Sequence, residues 1–347
     1  MSEHMPITMG IDISDRMSTV CVLDRDGEVI EESRFRSTQS GLGRYLAHRT
    51  PIRVVLEVGT HSPWMSRQIA SLGHEVFVAN PRQLRLIYQS DRKCDAVDAE
   101  ALARLGRVDP KLLRPIRHRA ADTQLARAQL RVRDMLVAAR TRFILSVRGM
   151  AKSMGEVVPR ASAESFHKRV TGAVSAPVWQ VVEPLVEAVA GLTAKIRRCD
   201  AALEELSLTR YPETAALRQI SGVGPITALA FVTTVEDPHR FARNRSVGAY
   251  LGLCPRRDQS GASDPSLRIT KAGDPYLRRL LVGCAHYILG PFGPDSDLRR
   301  WGLAYAGRGT NSKKRAVVAV ARKLAVLLLS LWKTGETYEP TRHGAAT

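Results

Sequence analysis

The alternation of strand-like and helix-like periods in the first eighty residues restricts the fold more than any other feature of the sequence. Apolar and polar residues alternate in the first two segments, which are joined to a third by a turn at 25–27. The predicted elements are strands at 8–14, 19–24 and from Val29, a helix at about 41–49, a strand at 53–58, a helix at about 63–71 and a strand at 75–79. An antiparallel meander followed by strands that alternate with helices predicts an α/β layered sheet.

The middle of the chain carries two long helical patterns, separated by a polar interval at 152–175. The first pattern predicts an amphipathic helix with arginines on its outer side. Its apolar positions are Leu125, Val132, Leu136, Ala139, Phe143, Val147 and Met150. The second runs from Val182 to Leu206 with alternating spacings of three and four, the heptad repeat of a coiled-coil seam. Pro184 is expected in its first turn. The two helices could pair within one chain or across a dimer, and the sequence leaves both open.

The last third of the chain is mainly helical in pattern. After a break at Tyr211-Pro212, a helix, a Gly-Val-Gly-Pro turn and a second helix suggest a helix-hairpin-helix. The turn glycines, Gly222 and Gly224, would let backbone N–H groups meet a phosphate, and the alternative is a plain structural turn. Further helices are predicted at 241–254, 274–289 and about 313–332, with a polar loop at 255–267.

The net charge of +18 is concentrated in two blocks. Lys and Arg outnumber Asp and Glu by 16 to 5 in residues 101–170 and by 19 to 8 in residues 237–347. Such blocks suit a polyanion such as nucleic acid, whose phosphates bind Lys and Arg with release of counterions. The alternative is a solvated basic surface.

Cysteine usage and hydropathy predict a cytoplasmic protein. The five cysteines lie far apart, without metal-ligand spacing and in an odd number, which favours reduced thiols and gives no indication of zinc. We expect no signal peptide, because residues 1–13 contain no cationic region followed by a long apolar one. We expect no membrane partner, because no uncharged apolar run approaches the roughly 20 residues that a membrane span needs.

Four carboxylates stand out because they occupy apolar surroundings or share a helix face. Asp12 is expected in the middle of the first strand and Glu57 near the end of the buried strand, while Asp95 and Asp98 lie three residues apart on a predicted helix. Buried carboxylates are rare unless they are paired or bind a metal. Together the four could hold two Mg²⁺ ions for phosphoryl transfer.

Each acid also has an alternative interpretation. Asp12 could begin a turn, and Glu57 could cap the following loop. Asp95 and Asp98 could be solvated or paired with Arg92 and Lys93.

The order of these acids, together with four later motifs, resembles the DEDD transposases of the IS110 insertion-sequence family, whose relatives include the Piv-type DNA invertases. The motifs are Ile220-Ser-Gly-Val-Gly-Pro225, Ala249-Tyr-Leu-Gly-Leu-Cys-Pro255, Gln259-Ser-Gly261 and Ile269-Thr-Lys-Ala-Gly-Asp-Pro-Tyr-Leu-Arg278. The resemblance covers roughly residues 8–333, and the combination is more specific than any single motif.

The resemblance implies a domain order. Residues 1–119 would form a RuvC-like (RNase H-like) α/β catalytic domain and residues 120–210 a helical coiled-coil linker that dimerises. Residues 211–335 would form a mainly α transposase domain with the helix-hairpin-helix, followed by a tail at 336–347.

The resemblance also implies a reaction. The family recombines DNA at specific sites under the direction of a structured RNA encoded by the element. Ser260 matches its serine nucleophile, which would form a phosphoserine with the DNA strand. Asp12, Glu57, Asp95 and Asp98 would hold two Mg²⁺ ions, with Mn²⁺ as a substitute. The expected partners are donor and target DNA, a guide RNA and further copies of the chain in a homodimer or homotetramer associated with the nucleoid.

Basic residues near the serine in sequence are candidates for phosphate contacts, with surface charge as the alternative. They are Arg256, Arg257, Lys271, Arg278 and Arg279. The other basic block has few aromatic residues, which favours contacts to a nucleic-acid backbone over base stacking. Either guide RNA or DNA could bind this block, and of the two we favour RNA for residues 101–150.

Three other functions compete with RNA-guided recombination. A RuvC-type structure-specific nuclease would use water and not need Ser260, a Piv-type invertase would need no guide RNA, and a scaffold would need no acids in this order. The heptad seam, the glycine turn and the Gln-Ser-Gly loop exceed what a resolvase requires. Recombination is therefore favoured.

Overall fold

The computed structural model describes residues 7–80, 94–261, 265, 267–309 and 312–342. The chain forms two compact units, residues 1–121 and 122–347.

The first unit contains one five-stranded sheet. Its strands are β1 (Thr8–Asp12), β2 (Met17–Leu23), β3 (Val29–Arg36), β4 (Arg53–Glu57) and β5 (Glu75–Ala79). Their order is β3-β2-β1-β4-β5, with β1 antiparallel to β2, β2 antiparallel to β3, and β4 parallel to both β1 and β5. The predicted meander and α/β sheet are confirmed.

Helices cover both faces of this sheet. They are α1 (Gln39–Leu46), α2 (Ser62–Ser71) and α3 (Asp95–Val108), followed by a 3-10 turn at Pro110–Leu113. The core on the first face joins Ile11 and Leu56 of the sheet to Leu42 of α1 and Met65 and Ile69 of α2. The opposite face packs against α3, where Val55 meets Leu102.

The contact between β1 and α3 is a close approach of two backbones. A Cβ on Gly10 would lie 1.9 Å from the carbonyl oxygen of Ala99 and 2.7 Å from the nitrogen of Ala103, so only glycine fits there. The other end of α3 lies over the start of β4, where Arg53 donates from Nη1 to the carbonyl oxygen of Gly106 at 2.9 Å. Helix α3 therefore runs antiparallel to β1 and β4, with its first turn at their carboxyl ends.

The second unit is helical. Its helices are α4 (Ala121–Ser153), which begins at the unit border, α5 (Phe166–Val170), α6 (Ala176–Arg210), α7 (Thr214–Leu217), α8 (Pro225–Val235), α9 (Ser246–Tyr250), α10 (Pro275–Leu289), α11 (Asp297–Ala306) and α12 (Ser312–Thr334). The described residues include no helix long and apolar enough to cross a membrane.

Helices α4 and α6 pack against each other in antiparallel orientation within one chain. Arg133 donates from Nε to Asp200 Oδ1 at 2.8 Å, and Arg140 donates from Nη1 to Thr193 Oγ1 at 3.4 Å. The sum of the residue numbers is constant along the pair, as an antiparallel hairpin requires. Of the two arrangements that the sequence leaves open, this chain shows the intrachain one.

Two details of these helices differ from the prediction. Pro184 is the ninth residue of α6 and lies well inside it, because the helix begins at Ala176 rather than near Val182. In the first half of α4 the predicted apolar side is turned outward, with Leu125 64% and Val132 53% exposed, whereas Val147 near its end is buried. The inner side of α4 is instead the one that carries Arg133 and Arg140, because these arginines supply its polar contacts to α6.

The heptad row of α6 is only half buried. Every seventh residue, Val182, Val189, Ile196 and Leu203, is buried, whereas the alternate positions Leu185, Leu192, Cys199 and Leu206 are half-buried. The half-buried side chains of this row therefore keep some solvent-exposed surface although α4 packs against α6.

The interval at 152–175 is not the polar connection that the sequence predicts. It contains α5, and its Val158, Phe166 and Val170 are buried with Val147 of α4 and Val182 of α6 in a small core. The few apolar residues of the interval thus close one end of the α4–α6 hairpin.

The helix before the glycine turn and the helix predicted at 241–254 are both shorter than expected. Helix α7 has four residues, so the segment before Gly222 forms one helical turn. Helix α9 spans Ser246–Tyr250 rather than 241–254 because the chain turns at Gly252, whose φ is +69°.

Asp274 joins α10 to α4. Its Oδ1 accepts the N–H groups of Tyr276 and Leu277 at 2.8 and 3.0 Å, capping α10, and Oδ2 pairs with Arg127. Burial alone would raise the pKa of Asp274, but the Leu277 N–H, Arg127 and the Tyr276 N–H together hold it below its ordinary value. The ionised carboxylate of Asp274 therefore links α10, which it caps, to α4 through its ion pair with Arg127.

Gly10→Ala should destabilise the first unit by about 3 kcal/mol, because the added methyl group cannot fit without moving α3 off the sheet. Thermal unfolding followed by circular dichroism measures this. Gly191→Ala, at a helical position of α6 with nothing near the added Cβ, is the control and should be neutral or stabilising by up to about 1 kcal/mol. Equal stability of the two variants would contradict the close packing.

Asp274→Asn should lower stability by about 2 kcal/mol near neutral pH, because asparagine keeps the cap but loses the ion pair with Arg127. The folded pKa lies below the unfolded one, so this contribution is complete above about pH 3.9 and is lost as the pH falls through the folded pKa.

Urea unfolding from pH 7 down to pH 3 tests this dependence, and the gap between wild type and variant should narrow at acid pH. Asp237→Asn, at an exposed cap that accepts only from His239 N–H among the contacts described, is the matched control. A gap that is constant with pH would show that the charge of Asp274 is not involved.

Candidate catalytic edge and serine loop

Asp12 and Glu57 end two neighbouring parallel strands. Ile11 of β1 lies opposite Leu56 of β4 in the register, so the two acids form the next pair along. Ile11 and Leu56 are fully buried on one face. Since side chains alternate along a strand, both partly exposed acids point to the opposite face. Asp12 is the last residue of β1, not its middle, because its pair with Thr19 of β2 is the last pair of the β1–β2 ladder.

Asp95 and Asp98 lie in the first turn of α3, on the face of the sheet that the two strand acids share. Asp95 is exposed and Asp98 half-buried. The partial positive charge at a helix start favours carboxylates there. Because α3 runs antiparallel to β1 and β4, its first turn lies at their carboxyl ends. All four predicted acids are thus at one edge and on one face of the sheet.

The four acids match a magnesium site in chemistry and in placement, but they do not converge into a complete ligand set. Carboxylate oxygens are the donors that Mg²⁺ prefers. In the part of the chain that the structure describes, no three His, Cys, Asp or Glu side chains are close enough to hold one ion together. Arg92 and Lys93, the alternative partners of Asp95 and Asp98, lie outside the described residues. The four acids therefore have suitable oxygen donors at one edge of the sheet, but they are not arranged around a common point as the ligands of one ion would be.

A partly buried polar cluster follows the end of β4, and sequence reasoning missed it. Ser62 Oγ accepts from the Gly59 N–H at 3.0 Å and donates to the Gly59 carbonyl at 2.8 Å, while His118 Nε2 lies 2.8 Å from the same Oγ. Burial, followed by the charges of Arg67 and Arg119, lowers the pKa of His118. The neutral ring can therefore donate from Nε2 to Ser62 and fix the loop that follows Glu57. Ser62 and His118 are separated by 56 positions in the sequence, so no local pattern predicts their contact.

In the second unit, Ser260 lies on an exposed loop with a paired stem. Pro255 and Ile269 form an antiparallel bridge, flanked by hydrogen bonds from Arg256 N to Arg268 O and from Thr270 N to Cys254 O, both 2.9 Å. Residues 259–261 are exposed, and Gly261 has a φ of +54°. Residues 262–264 and 266 lie outside the described part. The hydroxyl of Ser260 is thus presented to solvent by a clamped loop.

The motifs on either side of this loop lock its stem by packing on each other. Cβ atoms on Gly252 and Gly273, which have φ values of +69° and +72°, would lie 2.2 Å from Ala272 O and 2.1 Å from Tyr250 O. Arg278 donates from Nη1 to two backbone carbonyls, Leu251 at 2.9 Å and Ala272 at 2.8 Å. These glycines and this arginine hold the loop in place.

The other predicted phosphate contacts differ in their surroundings. Arg279 pairs with Asp134 at 2.5 Å and lies over the Tyr276 ring at 5.4 Å. Arg256, Arg257 and Lys271 are exposed beside the loop stem.

The two turn glycines have structural surroundings of their own. A Cβ on Gly222, whose φ is +93°, would lie 2.6 Å from Tyr287 Cδ1. Gly224 is the residue that precedes α8. Close packing explains Gly222 in this turn, and the phosphate role of both glycines stays a prediction.

Comparison with known proteins identifies the family. Residues 9–155 match the model of the DEDD transposases of IS110 type, and residues 214–296 match the model described as Transposase IS116/IS110/IS902 family.

Two relatives have lengths similar to that of this chain. The transposase for insertion sequence element IS1328 of Yersinia enterocolitica is 30% identical over 81% of this chain and 83% of its own length. The transposase for IS1111A of Coxiella burnetii is 28% identical over 95% of this chain and 90% of its own length. The chain therefore belongs to the IS110 family of insertion-sequence transposases, enzymes that cleave and rejoin DNA.

Proposed function

We propose that this transposase is a site-specific DNA recombinase that cuts strands with Ser260 and activates the phosphate with metal ions held by its four acids. The observation that carries the proposal is the placement of Asp12, Glu57, Asp95 and Asp98 at one edge and face of a RuvC-like sheet. Structural carboxylates would not need two neighbouring strand ends and one helix start to meet at the same edge. The exposed serine loop, with its braced stem, supplies the second half of the chemistry.

The serine performs the covalent step. Ser260 Oγ attacks a DNA phosphorus and loses its proton to a base, forming a phosphoserine ester while one P–O bond of the strand breaks. The leaving strand end departs as a hydroxyl group. The reverse reaction with another strand end rejoins DNA, because the ester conserves the bond energy. An exposed, clamped loop suits this role since the hydroxyl must reach a bulky backbone.

The four acids would hold the divalent ions, Mg²⁺ or its substitute Mn²⁺. Bound there, the ions would offset the charge that builds on the scissile phosphate and would favour the deprotonated hydroxyl. The role of this chain's own residues is to position the ligands. Gly10 lets α3 approach β1, and Ser62 with His118 fixes the loop after Glu57.

The basic residues of α4 support the binding of a guide RNA. Arg131 and Arg142 are exposed on this helix, which contributes to the block that has an excess of eleven positive charges. A helix surface rich in arginine and poor in aromatic side chains suits contacts to phosphates. An element-encoded RNA bound there would direct the choice of donor and target DNA.

Exposed apolar side chains on the α4–α6 hairpin support assembly into a homodimer or homotetramer through a coiled coil. Leu125, Val132 and Met135, the last 70% exposed, lie on the outer side of α4. In an assembly, the serine of one protomer could act at the acids of another, which is the composite site that we propose.

The first test is denaturing electrophoresis of labelled donor and target DNA incubated with protein, Mg²⁺ and RNA transcribed from the flanking sequence. Ser260→Ala and Asp12→Asn should each reduce the protein-linked DNA band at least about 10³-fold, because each removes a group that the chemical step needs. Ser153→Ala and Asp26→Asn, exposed positions away from both sites, are the controls.

The same gel separates the competing functions. Free cleaved ends that persist in Ser260→Ala would make the protein a RuvC-type nuclease. Protein-linked DNA that forms equally well without RNA would make it a Piv-type invertase.

Mixing Asp98→Ala with Ser260→Ala protein tests the composite site. Assemblies that contain both chains should recover up to about a quarter to a half of wild-type activity, because some of their sites pair an intact serine with intact acids. Each variant alone should be inactive. A mixture that stays inactive, although light scattering shows that mixed oligomers form, would place the serine and acids of each site on one chain.

A further inference from the structure

The second unit contains a cleft whose lining residues have no role in the proposed chemistry. It is lined by the stem of the serine loop, by α11 and by α12, and its volume is about 1130 Å³. Pro255 and Ile269, the bridged pair of the stem, form part of its wall. One wall residue of the cleft, Pro255, therefore precedes Ser260 by five positions in the sequence.

The charge of the cleft is strongly positive. One acid, Asp297, faces seven basic residues among the described lining. The basic residues are Arg245, Arg268, Lys271, Lys314, Arg315, Arg322 and Lys323. A concave surface of one sign concentrates the field and attracts a polyanion.

Two aromatic rings lie among these cations. Trp301 and Tyr305 are one turn apart on α11, and their rings stack with centroids 5.7 Å apart and 29° between planes. Lys323 Nζ lies 4.0 Å from the centroid of Trp301, and the Arg308 guanidinium lies 5.6 Å from that of Tyr305. Both rings are half-buried and face the cleft. A nucleic-acid base that stacks on one of these rings would displace the cation that lies over it. Because Lys and Arg side chains are long and flexible, the displaced cation can then reach a neighbouring phosphate.

The walls between the charges are apolar. Leu298 of α11 and Val318, Val326 and Leu327 of α12 line the cleft beside the rings. A double helix offers phosphates and groove edges, and its base faces are already stacked on each other, so apolar walls and aromatic rings would gain nothing from it. An unpaired strand offers phosphates and free base faces together, which is the combination that this cleft matches.

We propose that the cleft binds an unpaired stretch of DNA, with a base stacked on Trp301 or Tyr305 and the flanking phosphates paired with the cleft lysines and arginines. The inference rests on the proposed recombinase function and deepens it, because strand exchange requires that strands separate. A displaced strand held here would lie beside the stem of the loop that carries Ser260.

The test is fluorescence anisotropy with a labelled twelve-nucleotide oligo(dT) and a labelled duplex of equal length, without divalent metal. Trp301→Leu keeps an apolar side chain but loses stacking, so it should weaken binding of the single strand about tenfold and leave duplex binding within about twofold. Trp301→Phe, which keeps a stacking ring, should recover most of the affinity. Trp179→Leu, a half-buried tryptophan on α6 away from the cleft, is the matched control.

Salt dependence tests the phosphate contacts. Lys323→Gln should reduce the slope of log Kd against log salt by about 0.7 for the single strand, the value for one lost phosphate contact. Lys195→Gln, an exposed lysine on α6, should leave the slope unchanged. Thermal unfolding of every variant shows that it is folded.

Several results would overturn the proposal. They are an equal loss for duplex and single strand in Trp301→Leu, no loss for either, a glutamate-rich decapeptide that competes as well as the oligonucleotide, and a Trp301 effect seen only with RNA of the same sequence. These binding measurements involve no cleavage. They can therefore fail while the protein-linked DNA band still depends on Ser260 and Asp12, or succeed when that band is absent.

Discussion

The approach of α3 to β1 at Gly10 is the contact on which the catalytic edge depends. With no side chain between them, the helix backbone lies directly on the strand, and the antiparallel path of α3 brings its first turn to the carboxyl ends of β1 and β4. Any larger residue would raise the helix and separate Asp95 and Asp98 from Asp12 and Glu57. A glycine with no chemistry of its own therefore determines whether four acids from three elements lie at one edge of the sheet.

The second unit follows the same logic at the serine loop. Gly252 and Gly273 allow two chain segments to touch, Arg278 holds their carbonyls, and Asp274 ties the following helix to α4. These residues of the two flanking motifs thus support a loop in which residues 259–261 are exposed. A hydroxyl on a firm stem can be positioned accurately while remaining accessible to solvent.

Much of this was predictable from local pattern, because strand alternation and heptad spacing are properties of neighbouring residues. The meander, the parallel strands β4 and β5 and the long helices followed directly from it. The exposed side of α4 was not predictable, since Arg140 is buried through its partner Thr193, 53 residues away. The Ser62–His118 contact and the basic cleft likewise depend on distant segments. A local signal for the cleft existed in the pair Trp301 and Tyr305 and in the cations of α12, but only the fold shows that they face each other.

The length of the α4–α6 hairpin sets a distance. Helix α4 has 33 residues and therefore spans about 50 Å at 1.5 Å per residue. Its Leu130 lies in the large core with α8, α10 and α12, whereas its Val147 lies in the small core around Phe166. From Leu130 to Val147 the helix runs 17 residues, about 26 Å, so the two cores are separated by about the length of seven to eight base pairs of duplex at 3.4 Å each. Whatever binds the small core is therefore held most of one helical turn of DNA away from the large core.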